Sequence, residues 1–260
     1  MAITHRISYH FNRVASNYAQ VRDTDPHVVE TIIDNLPQND RPVDVADVGC
    51  GTGRYTSILV KKCDRSLRLF CCDYSGAMLA ECSKRMNREF PLREIHYCRV
   101  CANDLPFSDA RLDAVLTFNA AHHFDLDRFV TSASHVLRPG GLLSIYTRTP
   151  EQNARTIWGR YFPGFTQRET RLYCRKRLEE AIVCASSLEL ETLREFEFVR
   201  LESRESLLNR ARHFHYSTFA LYPRDQFNRA MAVFARRLSK LQGHLIKHSA
   251  ENTLVLARRK

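Results

Sequence analysis

Three glycines and two acids carry the first chemical signal. In "VADVGCGTGRYT" (45–56), Gly49, Gly51 and Gly53 follow an apolar run that holds Asp47, and they are three of only nine glycines in 260 residues. Twenty residues after Gly53, Asp73 closes a second apolar run, "LRLFCCD" (67–73). A bare turn after a strand lets a ligand meet main-chain N–H groups. A carboxylate ending the next strand accepts both hydroxyl protons of a ribose. A surface aspartate is the plain alternative, but the place of Asp73 at a strand end, before the helix cap Ser75, favours the ribose role. A dinucleotide site would read G-x-G-x-x-G. Here the pattern is G-x-G-x-G, and Arg54 stands where the third glycine or alanine should fall, which counts against NAD.

Residues that act together need elements to hold them. "VDVADV" (43–48), "LRLFCCD" (67–73), "EIHYCRV" (94–100), "LDAVLTF" (112–118) and "GLLSIYT" (141–147) read as strands. Between them, 54–63, 75–87 and 125–137 space their apolar residues as helices do, and "RPGG" (138–141) stops the third. Strands alternating with helices make an α/β protein with a doubly wound parallel sheet, whose ligand lies beyond the carboxyl ends of the strands. After Thr147 the rhythm changes to an aromatic, basic, mostly helical stretch. It is followed by a strand over 193–205, a helix over 223–241 and a last strand over 252–259. A further helix is expected over 6–23, ahead of the first strand.

Taken in order, "VADVGCGTG", "CCDYSGAML", "CANDLPFSDARLDAV", "NAAHHF" and "LRPGGLLSIY" resemble the class I S-adenosylmethionine-dependent methyltransferases. The branch it is most similar to holds the ubiquinone/menaquinone-biosynthesis C-methyltransferases, of the type 11 kind. The resemblance is strong over 6–150 and loose beyond. It implies a mostly parallel seven-stranded Rossmann-like sheet with a helical cap inserted after the fifth strand. The division it implies is an N-terminal helical lid (1–40), a cofactor-binding core (41–150), a substrate cap (151–192) and the remaining core elements (193–260).

The resemblance also implies roles. Asp47 and the Gly49–Gly53 loop would cradle the methionine part of S-adenosylmethionine, and Asp73 would hold the ribose. Tyr74 and Met78 would pack beside the adenine. Asn103 and Asp104 would sit near its amino group, and Leu105 would line that edge. Asn119 would face the sulfonium from the end of the fourth strand. Arg22 would either pair with the cofactor carboxylate or stand in solvent on the lid helix. The product would be S-adenosylhomocysteine.

A base is needed only when the acceptor arrives protonated. His122 and His123, after the fourth strand, are candidates because histidine titrates near neutrality. Their plain alternative is packing at a helix start. Tyr18, Arg148, Trp158 and Tyr216 are candidate acceptor contacts, although aromatics at helical spacing more often form core.

The net charge is +10. Residues 1–150 hold 18 basic and 17 acidic residues, and 151–260 hold 21 and 12. A basic second part suits an anionic substrate, RNA or a solvated helical surface. The nine cysteines show no secreted framework, and "HYCRVC" (96–101) offers only one C-x-x-C beside His96, short of the four ligands zinc usually takes. No metal site is expected. No run reaches the ~18 apolar residues of a membrane span, and the N-terminus lacks a signal-peptide core, so a cytoplasmic protein is expected. "NAAH" replaces the Asn/Asp-Pro-Pro-aromatic box common in base- and glutamine-methylating enzymes, and no proline precedes a cysteine as in cytosine C5 enzymes. The expectation is direct methyl transfer to a small molecule. A tRNA-modifying enzyme and a non-catalytic cofactor-binding scaffold are the alternatives.

Overall fold

The computed structural model of the protein describes residues 24–38 and 40–260. The helix expected over 6–23, with Tyr18 and Arg22, lies outside the described residues. The described chain opens with helix α1 (Pro26–Asn35), capped by Asp25, whose carboxylate accepts from His27 N at 2.9 Å. Pro26 occupies the first turn, where its missing N–H costs nothing. Val28, Val29 and Ile32 form its buried face.

Strand β1 (Val43–Val48) is buried at every residue, and so is β4 (Leu112–Phe118). Central parallel strands, covered on both faces, are mostly apolar, and the acids they bury need partners. Between them in sequence come α2 (Arg54–Lys62), β2 (Leu67–Asp73), α3 (Gly76–Glu89) and β3 (Ile95–Arg99). After β4 follow a short 3-10 turn (Ala121–His123), α4 (Leu126–Val136) and β5 (Leu137–Thr147). The boundaries of β1, β2 and β4 are those expected from the sequence. Helix α4 stops before "RPGG" as expected, yet strand pairing resumes at once. Leu137 pairs with Leu112, the register slips, and Leu142 then pairs with Ala114. The proline and glycines occupy the resulting irregularity, with Gly140 at φ +76°.

The sheet has seven strands in the order β3-β2-β1-β4-β5-β7-β6, where β6 is Leu188–Ser203 and β7 is Leu245–Arg259. The first five are mutually parallel, and β7 returns antiparallel to β5, Thr253 opposite Thr147 and Arg258 opposite Leu142. The chain builds outward from β1 to β3 on one side, then restarts at β4 on the other. Strand order therefore reverses between β1 and β4, where a crevice opens beyond the strand ends.

At the opposite, amino-terminal end of these two strands, Asp44 and Asp113 are buried side by side. Arg41 grips both oxygens of Asp113 at 2.7 Å, and the Asp44 amide donates to the same carboxylate at 2.8 Å. Arg68, Arg111 and Arg138 reach Asp44. Burial alone would push Asp113 up, but Arg41, the Asp44 amide and Arg138 outweigh it and hold the carboxyl below its ordinary range. Buried acids demand such partners. These six residues serve the sheet, far along the strands from the crevice.

The described residues form two compact units, and their boundaries differ from the contiguous division expected from the sequence. The sheet unit holds residues 24–147, 175–195 and 253–260. Helix α8 (Arg175–Cys184) belongs to it rather than to a cap, because it packs on α4 and Arg177 pairs with Asp127. The second unit holds residues 148–174 and 196–252. It contains α5 (Pro150–Arg155), α6 (Ile157–Tyr161), α7 (Phe165–Arg168), α9 (Arg204–Arg212), a 3-10 turn (Ser217–Leu221) and α10 (Arg224–Ser239). Its core is aromatic: Trp158, Phe162, Phe165, Phe219 and Phe234 are buried together. No described helix is long and apolar enough to cross a membrane.

Candidate cofactor site

The site begins where β1 ends. Gly49, Gly51 and Gly53 adopt φ +74°, +55° and +72°, the left-handed region that glycine enters without strain. They lack side chains for two different reasons. A Cβ on Gly49 would lie 2.5 Å from Ala120 Cβ, and one on Gly53 would lie 2.7 Å from Cys82 Sγ. A Cβ on Gly51 would meet nothing within 4 Å. The outer glycines are thus bare because protein packs against them, and the middle one is bare toward open space. That is the form of a cradle for a ligand backing onto main chain.

Asp73, at the end of β2, fixes this cradle. Its Oδ2 accepts from Gly51 N at 2.9 Å and its Oδ1 from Ser75 N at 2.8 Å. Burial raises its carboxyl above the ordinary range, and the Ser75 and Gly51 amides pull against that rise. The loop is also tied to β2 by the Gly49 and Cys50 amides, which both donate to Cys72 O. Ser75 caps α3 as expected, its hydroxyl accepting from Met78 N at 3.3 Å.

Asp47 lies deeper than a ligand-cradling role requires. It is buried, and its Oδ2 accepts from Thr56 Oγ1 at 2.6 Å, while Oδ1 has no hydrogen-bond partner among the described residues. Burial pushes its carboxyl up to about 7, against the Thr56 bond, with Cys82 and Asp73 adding to the rise. Its place is beneath the loop, holding the first turn of α2.

The other expected residues are distributed around the same strand ends. Tyr74 is 58% exposed beside Arg99, whose Nε donates to Tyr74 O. Met78 is buried in the face of α3. Asn103 accepts from Asp125 N at 3.0 Å, Asp104 is exposed, and Leu105 is buried, its amide bound to Ser132 Oγ. Asn119, at the end of β4, has φ +55° and donates to the Tyr55 hydroxyl at 3.4 Å. A left-handed asparagine at a strand end turns the chain sharply. His122 and His123 follow in the 3-10 turn, both partly exposed, with ring centroids 4.0 Å apart. The structure thus brings Gly51, Asp73, Asn119 and the two histidines to the carboxyl ends of β1, β2 and β4.

The candidate acceptor contacts of the second unit are engaged in its own packing. Trp158 is 2% exposed and surrounded by His215, Phe219 and Phe234, so it is core rather than an open wall. Arg148 is buried, donating to Tyr216 Oη at 2.9 Å and to Glu251 O, with its guanidinium 5.1 Å from the Tyr216 ring centroid. Residues the sequence reading passed over include Thr56, which orients Asp47, and Tyr55, stacked on Phe118 at 4.4 Å. No spacing rule marks either one.

Comparison with known proteins gives this geometry a context. Residues 46–145 match a family model described as a methyltransferase domain. The chain is 35% identical over 116 residues to the "Probable tRNA methyltransferase 9B" of Mus musculus, covering 43% of this chain and 23% of that protein. It is 29% identical over 160 residues to the tRNA (carboxymethyluridine(34)-5-O)-methyltransferase ALKBH8 of Macaca fascicularis, covering 59% of this chain and 21% of that protein. The chain thus spans less than a quarter of the length of these curated relatives. Among solved structures it resembles geranyl diphosphate C-methyltransferase of Streptomyces coelicolor, with a TM-score of 0.57 and 18% identity over 90% of this chain and 79% of that one. That likeness speaks for the fold.

Proposed function

We propose that this chain, a class I S-adenosylmethionine-dependent methyltransferase, transfers the methyl group by direct in-line displacement to a small-molecule acceptor. S-adenosylmethionine is the cofactor, and the residues present fit it. Gly51 leaves open backbone where a side chain would intrude, and Asp73 stands beside it with a partly buried carboxylate. When bound, the cofactor supplies a methyl group already made electrophilic by a sulfonium. The chain's task is to hold the acceptor atom roughly 3–3.5 Å from that carbon, in line, and to keep water away. In this reading Asp73 accepts from the ribose hydroxyls, Asn119 borders the sulfonium, and His122 or His123 takes a proton from an acceptor that carries one.

The observation that carries the small-molecule reading is where the basic residues of 151–260 spend their charge. Nine of its 21 Lys and Arg residues pair with acids of the protein itself: Arg155, Arg171, Arg175, Lys176, Arg177, Arg210, Arg212, Arg229 and Arg258. Arg204 and Arg237 donate to main-chain carbonyls. These pairs neutralise charge locally and leave the net +9 on residues dispersed over α6, α7, β6, α10 and β7, not gathered on one element as a stripe for phosphates.

An RNA acceptor is the second reading, favoured by the tRNA methyltransferases among the relatives. Their likeness reaches only about half of this chain. One experiment separates the two: purified protein and methyl-labelled cofactor are offered a metabolite pool and total tRNA in parallel. Label in the metabolite fraction, with S-adenosylhomocysteine release, supports the proposal. Label confined to tRNA, with binding that weakens steeply as salt rises, overturns it.

A further inference from the structure

Three thiols meet beneath the glycine loop. Cys50 lies within the loop, Cys71 on β2 opposite Asp47 of β1, and Cys82 on α3. Their sulfurs all lie within 4.8 Å of one another, the only such group of potential metal ligands among the described residues. The cluster is buried, and of the three residues only Cys50, in the loop, has intermediate exposure overall. The methyl-transfer reading uses none of the three sulfurs.

We propose that Cys50, Cys71 and Cys82 form a pyramidal three-sulfur site for a trivalent thiophilic ion, with arsenic(III) as its simplest occupant. Charge and ligand number select this class. Zinc takes four ligands in structural sites, and only three are gathered here. Three thiolates on copper(I) would carry net charge −2, and on a divalent ion −1, next to the buried Asp47 and the partly buried Asp73. Burying uncompensated charge there is costly. Three thiolates on a trivalent ion are neutral, and the ion's lone pair fills the fourth direction.

The reaction balances without any other reagent. Arsenite enters as neutral As(OH)3. Three S–As bonds form, three As–O bonds break, and each thiol proton leaves with a hydroxide as water. No electron is transferred and no charge is created. The filled site ties the loop at Cys50 to β2 and α3 at once. This inference is independent of the acceptor and of turnover.

The test is native mass spectrometry of the whole chain after one equivalent of arsenite, with thermal unfolding alongside. The expected result is a single adduct heavier by one arsenic and lighter by three hydrogens, and a higher unfolding temperature. Cys82→Ser and Cys50→Ser should each lose the three-hydrogen adduct and the temperature rise. Cys50→Ser, at a partly exposed position, remains informative where Cys82→Ser fails to fold. A variant with exposed Cys101, Cys174 and Cys184 all changed to Ser should keep both. Absence of an adduct in the unaltered chain overturns the proposal. So does a two-hydrogen-deficient adduct that retains a hydroxyl, or a three-sulfur adduct that survives Cys50→Ser.

Discussion

Replacing Asp47 with asparagine tests whether a carboxyl is held at a cost under the cofactor loop. Burial moves that group from 3.8 to about 7, roughly three units, and each unit is worth about 1.4 kcal/mol. The folded state therefore binds the Asp47 proton more tightly than the unfolded chain does. Below about pH 4 both states are protonated and the aspartate carries no penalty. Between about pH 4 and 7 the unfolded chain releases the proton while the folded protein keeps it, so stability falls as pH rises. Above about pH 7 both are ionised, and the folded protein carries the full burden of about 4 kcal/mol.

Asparagine cannot ionise. Its amide puts a buried donor where Oδ1 has no partner, a pH-independent cost of about 1–3 kcal/mol. The difference in unfolding free energy, Asp47→Asn variant minus unaltered protein, should rise by about 1.4 kcal/mol per pH unit from about pH 4 to 7 and then level off. Urea unfolding followed by far-ultraviolet circular dichroism in steps across that range measures it. Subtraction removes the titration of every group the two proteins share. A difference that stays flat across the window would show that Asp47 is ordinarily ionised and hydrated, and would refute the buried-acid account.

Two of the loop glycines should separate stability from binding. Gly53→Ala meets Cys82 Sγ and should lower the unfolding temperature more than Gly51→Ala, which carries only the left-handed strain of about 1–2 kcal/mol; Gly51→Ala should weaken S-adenosylmethionine binding at least tenfold by calorimetry. Changing His122 and His123 together to Gln should leave cofactor affinity intact and lower turnover by about a hundredfold for a protonated acceptor; unchanged turnover removes both as the base. In the second unit, burial would raise Glu202, but His248, Arg210 and Ser206 hold it down to about 2. Its stabilising share is present at neutral pH and is lost as pH falls from the ordinary glutamate range through about 2, so Glu202→Gln should flatten the acid limb of the stability curve.

Much of the sheet could be read from the chain because central parallel strands carry apolar residues on both faces, as Val43, Val45, Ala46 and Val48 of "VDVADV" and Leu112, Ala114, Val115, Leu116 and Phe118 of "LDAVLTF" do. The loop was legible for a related reason, since only glycine tolerates three left-handed positions in five residues. Helix α1 was passed over although its signal was present: Asp25 and Pro26 precede Val28, Val29 and Ile32 at helical spacing. Along the chain, the cysteines at ligand spacing are Cys98 and Cys101, and they are too few for a metal. Spatially, the group is Cys50, Cys71 and Cys82, brought together by the pairing of β1 with β2 and the packing of α3, which no local spacing encodes. The depth of Asp47 was hidden for the same reason. An acid in an apolar run reads as a ligand contact until the Thr56 hydroxyl is placed over it. Trp158 was ambiguous in sequence, and the rings packed around it make it core.

The antiparallel pairing of β5 with Thr253–Arg258 has a consequence for synthesis on the ribosome. Strand β5 is complete once residue 147 has emerged, yet its outer edge waits until residue 253 and beyond before a partner strand exists. Throughout that interval the nascent chain presents unpaired main-chain groups on a largely buried, apolar strand, which invites pairing with other chains. Slowing translation over the intervening segment should therefore favour aggregation, and stop codons shortly before Thr253 should yield insoluble product even though nearly all of the cofactor loop's surroundings have been made.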